Sequence, residues 1–248
     1  MRYNNITVDF IVPTPWRDSD GEIKCVNGIS SIAQKLGLDY KIYFVCNEWY
    51  LKPEFQTLKF QDPNVIVMGH NYNYSISVSL NIPLKTIRNS PNSKYVCFVQ
   101  SDVHFKNENW LKRCIDVYDM YEDIGVIGFQ KHSTRHTYPE VPFTTIGEYE
   151  FIKTLFADGF MFFDSKFINE VGLFDEQFYG DRESEDFCYR VNNLGYHNLR
   201  LLDSKNEINH YQIPFHKKTN SNPEEYMKAV DKTQILFKEK WKDLKINW

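Results

Sequence analysis

The chain lacks closely spaced cysteines, a glycine-rich phosphate loop, long apolar runs and any excess of positive charge. Its five cysteines (Cys25, Cys46, Cys97, Cys114, Cys188) are odd in number and far apart. That argues against a disulfide framework or a zinc site and fits a reducing compartment. MRYNNITVDFIVPTPW has no apolar stretch long enough for a signal peptide, and no later segment is long enough to span a bilayer. The expectation is a cytoplasmic protein, soluble or attached peripherally to a membrane. A net charge of -4 provides no overall electrostatic footprint for nucleic acid, although it leaves room for a local basic patch. There is no internal repeat, low-complexity tract or evident linker.

What is present suits a globular protein. At 248 residues the chain is long enough for one large domain or two small ones. Hydrophobic residues at 42% and charged residues at 25% are ordinary values. Aromatic content is high, with 19 Phe and 16 Tyr. A packed core is the main home for such rings, and stacking on sugars or bases is the functional alternative.

Short apolar runs alternate with amphipathic stretches through the first half. ITVDFIV, YKIYFVC, NVIVMG and KYVCFVQ read as strands. GISSIAQKLG reads as a helix stopped by Gly37, SISVSLNIPLKTIRNS as a crossover helix, and WLKRCIDVYDMYED as a helix with its apolar face at 111, 114, 115 and 118. This alternation predicts a parallel sheet with helices on both faces.

In the second half GVIGFQ reads as a strand, and KHSTRHTYPEVPFTTIGEYE as a long polar loop. FADGFMFFD reads as an aromatic strand, SKFINEVG as a short helix, and ESEDFCYRVNNLG as a helix N-capped by Ser184 and ending at Gly195. In the last helix Met227, Val230, Phe237, Trp241, Leu244 and Trp248 form an apolar stripe. The segment 226–248 carries six lysines against three acids, so anionic lipid is an alternative to the domain as the partner of that stripe. One domain is expected over 1–248, with lobes at 1–105 and 106–248.

Ligands of such sheets sit beyond the carboxyl ends of the strands, which directs attention to PTPWRD, NEW, HNYN and SDVH. In Gln100-Ser101-Asp102-Val103-His104, side chains two apart share a face while the chain stays extended. Asp102 and His104 then form a mixed O/N pair suited to Mn²⁺ or Mg²⁺. They read equally as a strand end with a turn-forming Asp and an exposed His. In VGLFDEQFYGDRESEDFCYR, Glu185 and Asp186 occupy a first helical turn, off the apolar face Phe187, Val191 and Leu194. Acids there complement the helix dipole, and Asp186–Arg190 is an ordinary i,i+4 pair. The same dipole keeps a carboxylate ionised, as a general base requires. The histidines His132, His136, His210 and His216 carry no signal alone.

Together these pieces resemble the inverting nucleotide-sugar transferases of glycosyltransferase family 2, over almost the whole chain. DFIVPTPWRD resembles the family's opening strand and Pro-Thr turn. NYNYSISVSLN resembles its asparagine-rich segment, with Asn73 and Asn81 at the usual separation and Ser75 where glycine is common. YVCFVQSDVHF resembles the strand of the metal-binding DxD motif, with His104 in place of the second Asp. FADGFMFFDSKFINEVGLFDEQFYGDRESEDFCYRVNNLGY is similar to the second family block, Asn209-His210 to the late metal-site histidine, and FKEKW to the common ending. Cys46-Asn47-Glu48 stands where the family often has an Asp that reads the nucleotide base.

The resemblance implies a GT-A fold and transfer from a nucleotide-diphosphate sugar, a UDP-sugar first, to a hydroxyl acceptor. The acceptor class (glycan, lipid-linked, protein or nucleic acid) stays open. It implies Mn²⁺ or Mg²⁺ held by Asp102 with His104 and His210, and Asp186 as base with Glu185 orienting acceptor or base. Pro13, Thr14, Asn47, Glu48 and Ser101 would line the nucleotide pocket, and Asp158 and Gly159 would border the donor sugar. A non-catalytic nucleotide-sugar or glycan-binding module on the same fold is the alternative. Nucleotidyl transfer to a sugar phosphate is disfavoured, because PTPWRDSDGE does not resemble the glycine-rich loop it usually needs.

Overall fold

A computed structural model describes residues 3–15, 19–47, 49, 53–71, 76–129, 141–157, 159–178, 182–202, 207–210 and 223–243, with side chains in the last helix from 227 onward. The expected site residues Glu48 and Asp158 lie outside these, as do Asn73, Ser75, His132, His136, Asp181, His216, Leu244 and Trp248.

The first half follows the predicted alternation. Strand β1 (Thr7–Thr14) leads to helix α1 (Ser19–Leu36), β2 (Asp39–Cys46), the single turn α2 (Pro53–Gln56), β3 (Val65–Gly69), α3 (Ile76–Ile87) and β4 (Tyr95–Val99). Pro13 falls inside β1 and not at its end. Pairing with β4 stops at Ile11↔Phe98 while pairing with β2 runs on to Thr14↔Cys46, so the proline sits where one side of the strand is already released. Helix α1 begins nine residues before the GISSIAQKLG segment and stops as expected at Gly37, whose φ of +69° is a left-handed C-cap.

After β4 come β5 (Val103–Phe105), α4 (Asn109–Met120), β6 (Ile124–Gly128), β7 (Val141–Ile146), β8 (Tyr149–Lys153) and β9 (Phe160–Asp164). Helices α5 (Phe167–Glu170) and α6 (Glu183–Asn193), strands β10 (His197–Leu202) and β11 (Ile208–His210), and the last helix α7 (Pro223–Lys240) follow among the described residues. The stretch expected as one long loop contains the β7–β8 hairpin, which turns at Gly147 with φ +64°. VPFTTI and YEFIK supply β-branched and aromatic residues for the pairing, a signal masked in the sequence by the surrounding polar residues.

The nine-stranded sheet has the order β3-β2-β1-β4-β9-β6-β10-β8-β7, and β5 pairs with β11 in a separate ribbon. Strands β1–β4, β6, β7 and β10 run one way, while β9 and β8 oppose them. Strand β9 thus enters antiparallel between β4 and β6, bringing its first residues beside the carboxyl end of β4. Alternation along the strands divides the core. Phe10, Val12, Phe44, Cys97 and Phe162 face α1 and α4, and Ile11, Val45, Phe98, Met161 and Phe163 face α3 and α6.

The last helix closes on this frame. Phe237 packs with Leu155, Phe178 and Tyr189, with Leu236 and Trp241 alongside. Val230 and Thr233 are buried as well, whereas Met227, expected in the stripe, is half exposed. The domain occupies the stripe at 230, 237 and 241. Among the described residues no helix is long and apolar enough to cross a membrane.

Candidate active site at the carboxyl edge of the sheet

Strand order reverses at β1, which lies between β2 and β4, and the residues after these strands converge there. Thr14 is fully buried, and its carbonyl accepts from the Asn47 backbone N–H at 3.0 Å, tying the ends of β1 and β2 together. Beside them His70, just past β3, donates its backbone N–H to the Cys46 carbonyl at 3.1 Å. At the end of β4 the chain turns through Ser101 and Asp102, both buried, and Val103 N–H bonds the Gln100 carbonyl at 2.9 Å. Pro13, Thr14, Asn47, Ser101 and Asp102 therefore share one edge. Gly159 joins them because β9 enters beside β4, its carbonyl accepting from Gln100 N–H at 3.2 Å. Its φ is +79°, and a Cβ would meet the Phe129 carbonyl oxygen at 2.5 Å, so only glycine suits this position.

The expected metal ligands are brought together in part. The β5–β11 ribbon sets His210 opposite Val103. His210 Nε2 lies 3.2 Å from Asp102 Oδ1, buried and without hydrogen-bond alignment. His104 turns elsewhere, its Nε2 lying 3.0 Å from the Gly21 carbonyl of α1. The turn at 101–102 breaks the extended geometry that would have put Asp102 and His104 on one face. Among the described residues no group of three His, Cys, Asp or Glu side chains is set to hold a metal. A buried imidazole nitrogen and a carboxylate oxygen this close, unaligned with each other, do fit two positions of an O/N cation shell. Mg²⁺ and Mn²⁺ commonly complete such a shell with phosphate oxygens and water.

Glu185 and Asp186 stand in the first turn of α6 as expected, but the cap differs. The helix starts at Glu183 after Arg182, which has φ +70° and makes no side-chain cap, so Ser184 lies inside the first turn and not at its cap. Phe187 and Val191 are buried as predicted, but Leu194 is 51% exposed and Cys188 and Tyr189 are buried in its stead. Arg182 Nη1 holds Glu185 at 2.7 and 2.5 Å.

Asp186 has 0% exposure. Its Oδ2 accepts from Arg190 Nε at 2.9 Å, and its Oδ1 lies 3.0 Å from Trp241 Nε1 and 2.8 Å from Lys240 Nζ. Lys240 also reaches Asp175 Oδ2 at 2.8 Å. Burial works to raise the Asp175 pKa, but Lys240, the Gln177 amide and Arg190 outweigh it and hold the carboxyl below its ordinary value. Asp186 is thus the centre of a charge cluster joining α6, the loop after α5 and the C-terminal helix.

Sequence reasoning named Asn81 through the family resemblance but missed Ser77 and Ser79 of α3, and with them the polar contacts on two sides of that helix. Ser77 Oγ donates to the Phe178 carbonyl at 3.1 Å, and Ser79 Oγ to Asn47 Oδ1 at 2.5 Å. Asn81 Nδ2 donates to the Phe174 carbonyl and to Glu176 Oε1, both at 2.9 Å, and Asn81 Oδ1 accepts from Phe174 N–H at 3.0 Å. The helix therefore links the strand ends to the acidic loop. The available signal was three polar residues, two apart, in an otherwise apolar ISVSLNIPL.

No protein-family profile matches the chain, and no curated protein matches it by sequence. Solved structures do match. The catalytic domain of Drosophila beta1,4galactosyltransferase 7, in complex with xylobiose, aligns with a TM-score of 0.54 at 15% identity, over 90% of this chain and 79% of that one. An S. aureus TarS fragment in complex with UDP-GlcNAc aligns at 0.57 and 13% identity, over 94% and 67%. The mannosyltransferase PcManGT from Pyrobaculum calidifontis, in complex with GDP-Man and Mn²⁺, aligns at 0.54 and 11% identity, and the chain spans only 53% of its length. What is shared at these identities is the architecture: the chain has the GT-A fold of these glycosyltransferases.

Proposed function

We propose that the protein is a glycosyltransferase that moves a sugar from a nucleotide-diphosphate donor to a hydroxyl acceptor with inversion at the anomeric carbon. The observation that carries the reading is the Asp102–His210 pair, 3.2 Å apart beside the ends of β1, β2 and β4. The neighbours in complex with UDP-GlcNAc and with GDP-Man and Mn²⁺ support it. Asp102 and His210 would hold Mn²⁺ or Mg²⁺, which when bound supplies positive charge against the diphosphate leaving group. His104 is left as a strut between β5 and α1. Pro13, Thr14, Asn47 and Ser101 bind the nucleotide, a UDP-sugar being the first donor to try, and Gly159 allows close approach on the sugar side.

Inverting transfer is a single displacement through an oxocarbenium-like state, and the acceptor proton needs a carboxylate at the far side. The first turn of α6 supplies it. Asp186 is met by two cations, Arg190 and Lys240, so we assign it to anchoring; Glu185 meets one, Arg182, and the proton is assigned to it or to Glu183.

Nucleoside diphosphate release from a panel of UDP- and GDP-sugars, with Mn²⁺ and then with chelator, tests the reading. Release is expected with Mn²⁺ alone, and Glu183→Gln and Glu185→Gln should identify the base by which one abolishes it. One observation favours the non-catalytic alternative: Glu183, Glu185 and Asp186 are all buried. Donors that raise the melting temperature yet are never turned over would establish that alternative.

A further inference from the structure

Asn47 follows β2 at the carboxyl edge, and its amide is not at liberty to rotate. Its Oδ1 lies 2.5 Å from Ser79 Oγ, and Ser79 Oγ lies 2.8 Å from His70 Nε2. Ser79 is completely buried, and His70 and Asn47 nearly so. The 2.5 Å separation suits O–H···O and is too short for an amide N–H donating to a hydroxyl, so the amide oxygen faces Ser79. A serine hydroxyl has one proton, and here it goes to Asn47. The proton between Ser79 and His70 must then belong to His70 Nε2. Donation runs in one direction, from His70 through Ser79 to Asn47. Among the described residues nothing accepts from Asn47 Nδ2.

We propose that Ser79 and His70 are positioning residues that lock the Asn47 amide with its NH₂ outward, so that the pocket presents a donor to the nucleotide base. The inference rests on the reading above, in which the nucleotide sits at the ends of β1 and β2. A base with a carbonyl at that point, as uracil and guanine have, completes the contact. A base with an amino group there, as cytosine and adenine have, sets donor against donor and strands both. The relay does not depend on pH. Burial pushes the His70 imidazole down to about 4 against the opposing charge of Glu176. Both the neutral Nε2–H tautomer and the imidazolium donate to Ser79.

Titration of the full chain with UDP, GDP, CDP and ADP in Mn²⁺, by calorimetry, tests this. The wild type should bind the better of UDP and GDP at least about tenfold more tightly than CDP and ADP, the value of one well-placed hydrogen bond. Ser79→Ala frees the amide and should bring that ratio towards one, with overall affinity changing less than the ratio. His70→Gln keeps an N–H at similar reach and should preserve the ratio. Asn47→Ala, which removes the donor, should also bring the ratio towards one, and it keeps the test decisive if Ser79→Ala does not fold. A wild type that prefers CDP or ADP, or a ratio unchanged in Ser79→Ala and in Asn47→Ala, overturns the relay alone. Failure of all four nucleotides to bind the folded wild type overturns the nucleotide-donor reading with it.

Discussion

Replacing Asp186 by Asn separates an anchor from a base. The carboxylate has no exposed surface and is met by Arg190 at 2.9 Å, Lys240 at 2.8 Å and Trp241 at 3.0 Å. Asn preserves the shape and an acceptor oxygen but removes the charge that balances two cations. Removing one partner of a fully buried ion pair costs about 3–5 kcal/mol. The side chain of Lys240 is 36% exposed and keeps Asp175, and Arg190 keeps the Val171 carbonyl. Screening and these remaining partners reduce the cost to about 2–3 kcal/mol. For a domain of this size that is a fall of roughly 4–12 °C in melting temperature. Loss of a general base lowers turnover by about 10²–10⁴-fold with no such penalty on folding. The assay is therefore paired: thermal unfolding by circular dichroism, and donor turnover well below the transition. The anchor role predicts a large thermal shift with turnover of the folded protein reduced by less than about tenfold. An unchanged melting temperature together with turnover lost by more than about a hundredfold would return Asp186 to the base and refute the argument.

Other expectations follow from single positions. Asp102→Ala should weaken nucleoside diphosphate binding by at least about tenfold in Mn²⁺ and leave binding in chelator unchanged, as calorimetry would record. Gly159→Ala forces a side chain onto φ +79° and against the Phe129 carbonyl. It should cost at least about 1–3 kcal/mol in chemical denaturation, and an unchanged midpoint would contradict the geometry. Glu108 is drawn down to about 2 by Lys35 first, with burial opposing and Lys112 assisting. A depressed carboxyl stabilises above its ordinary value of 4.5 and loses that contribution as pH falls towards about 2. The difference in melting temperature between wild type and Glu108→Gln should therefore be full at neutral pH and shrink through that window.

The four strands and three of the helices of the first half were legible because their information is local. Alternation along ITVDFIV and YKIYFVC and the 111, 114, 115 face of α4 express backbone periodicity, which needs no distant partner. The hairpin at 141–153 was not legible, because paired strands at a sheet edge carry polar residues that look like loop. The candidate site was legible in where its residues gather and less so in their contacts. Pro13, Thr14, Asn47, Ser101, Asp102 and Gly159 come to one edge because each stands at the end or start of a strand. His104 leaves it because a turn intervenes after β4, and the Ser79–His70 relay joins residues from separate elements.

The chain by itself determined an α/β sheet protein with polar residues after the carboxyl ends of its strands and carboxylates in the first turn of α6. Tertiary structure decided what surrounds each of those carboxylates. Asp186 looks like its neighbours in the sequence, yet the indole that seals it stands 55 residues away on the C-terminal segment. Helical periodicity is a property of successive residues. Burial of a charge depends on what the rest of the chain packs over it, and here that is the end of α7 and the turn that follows it.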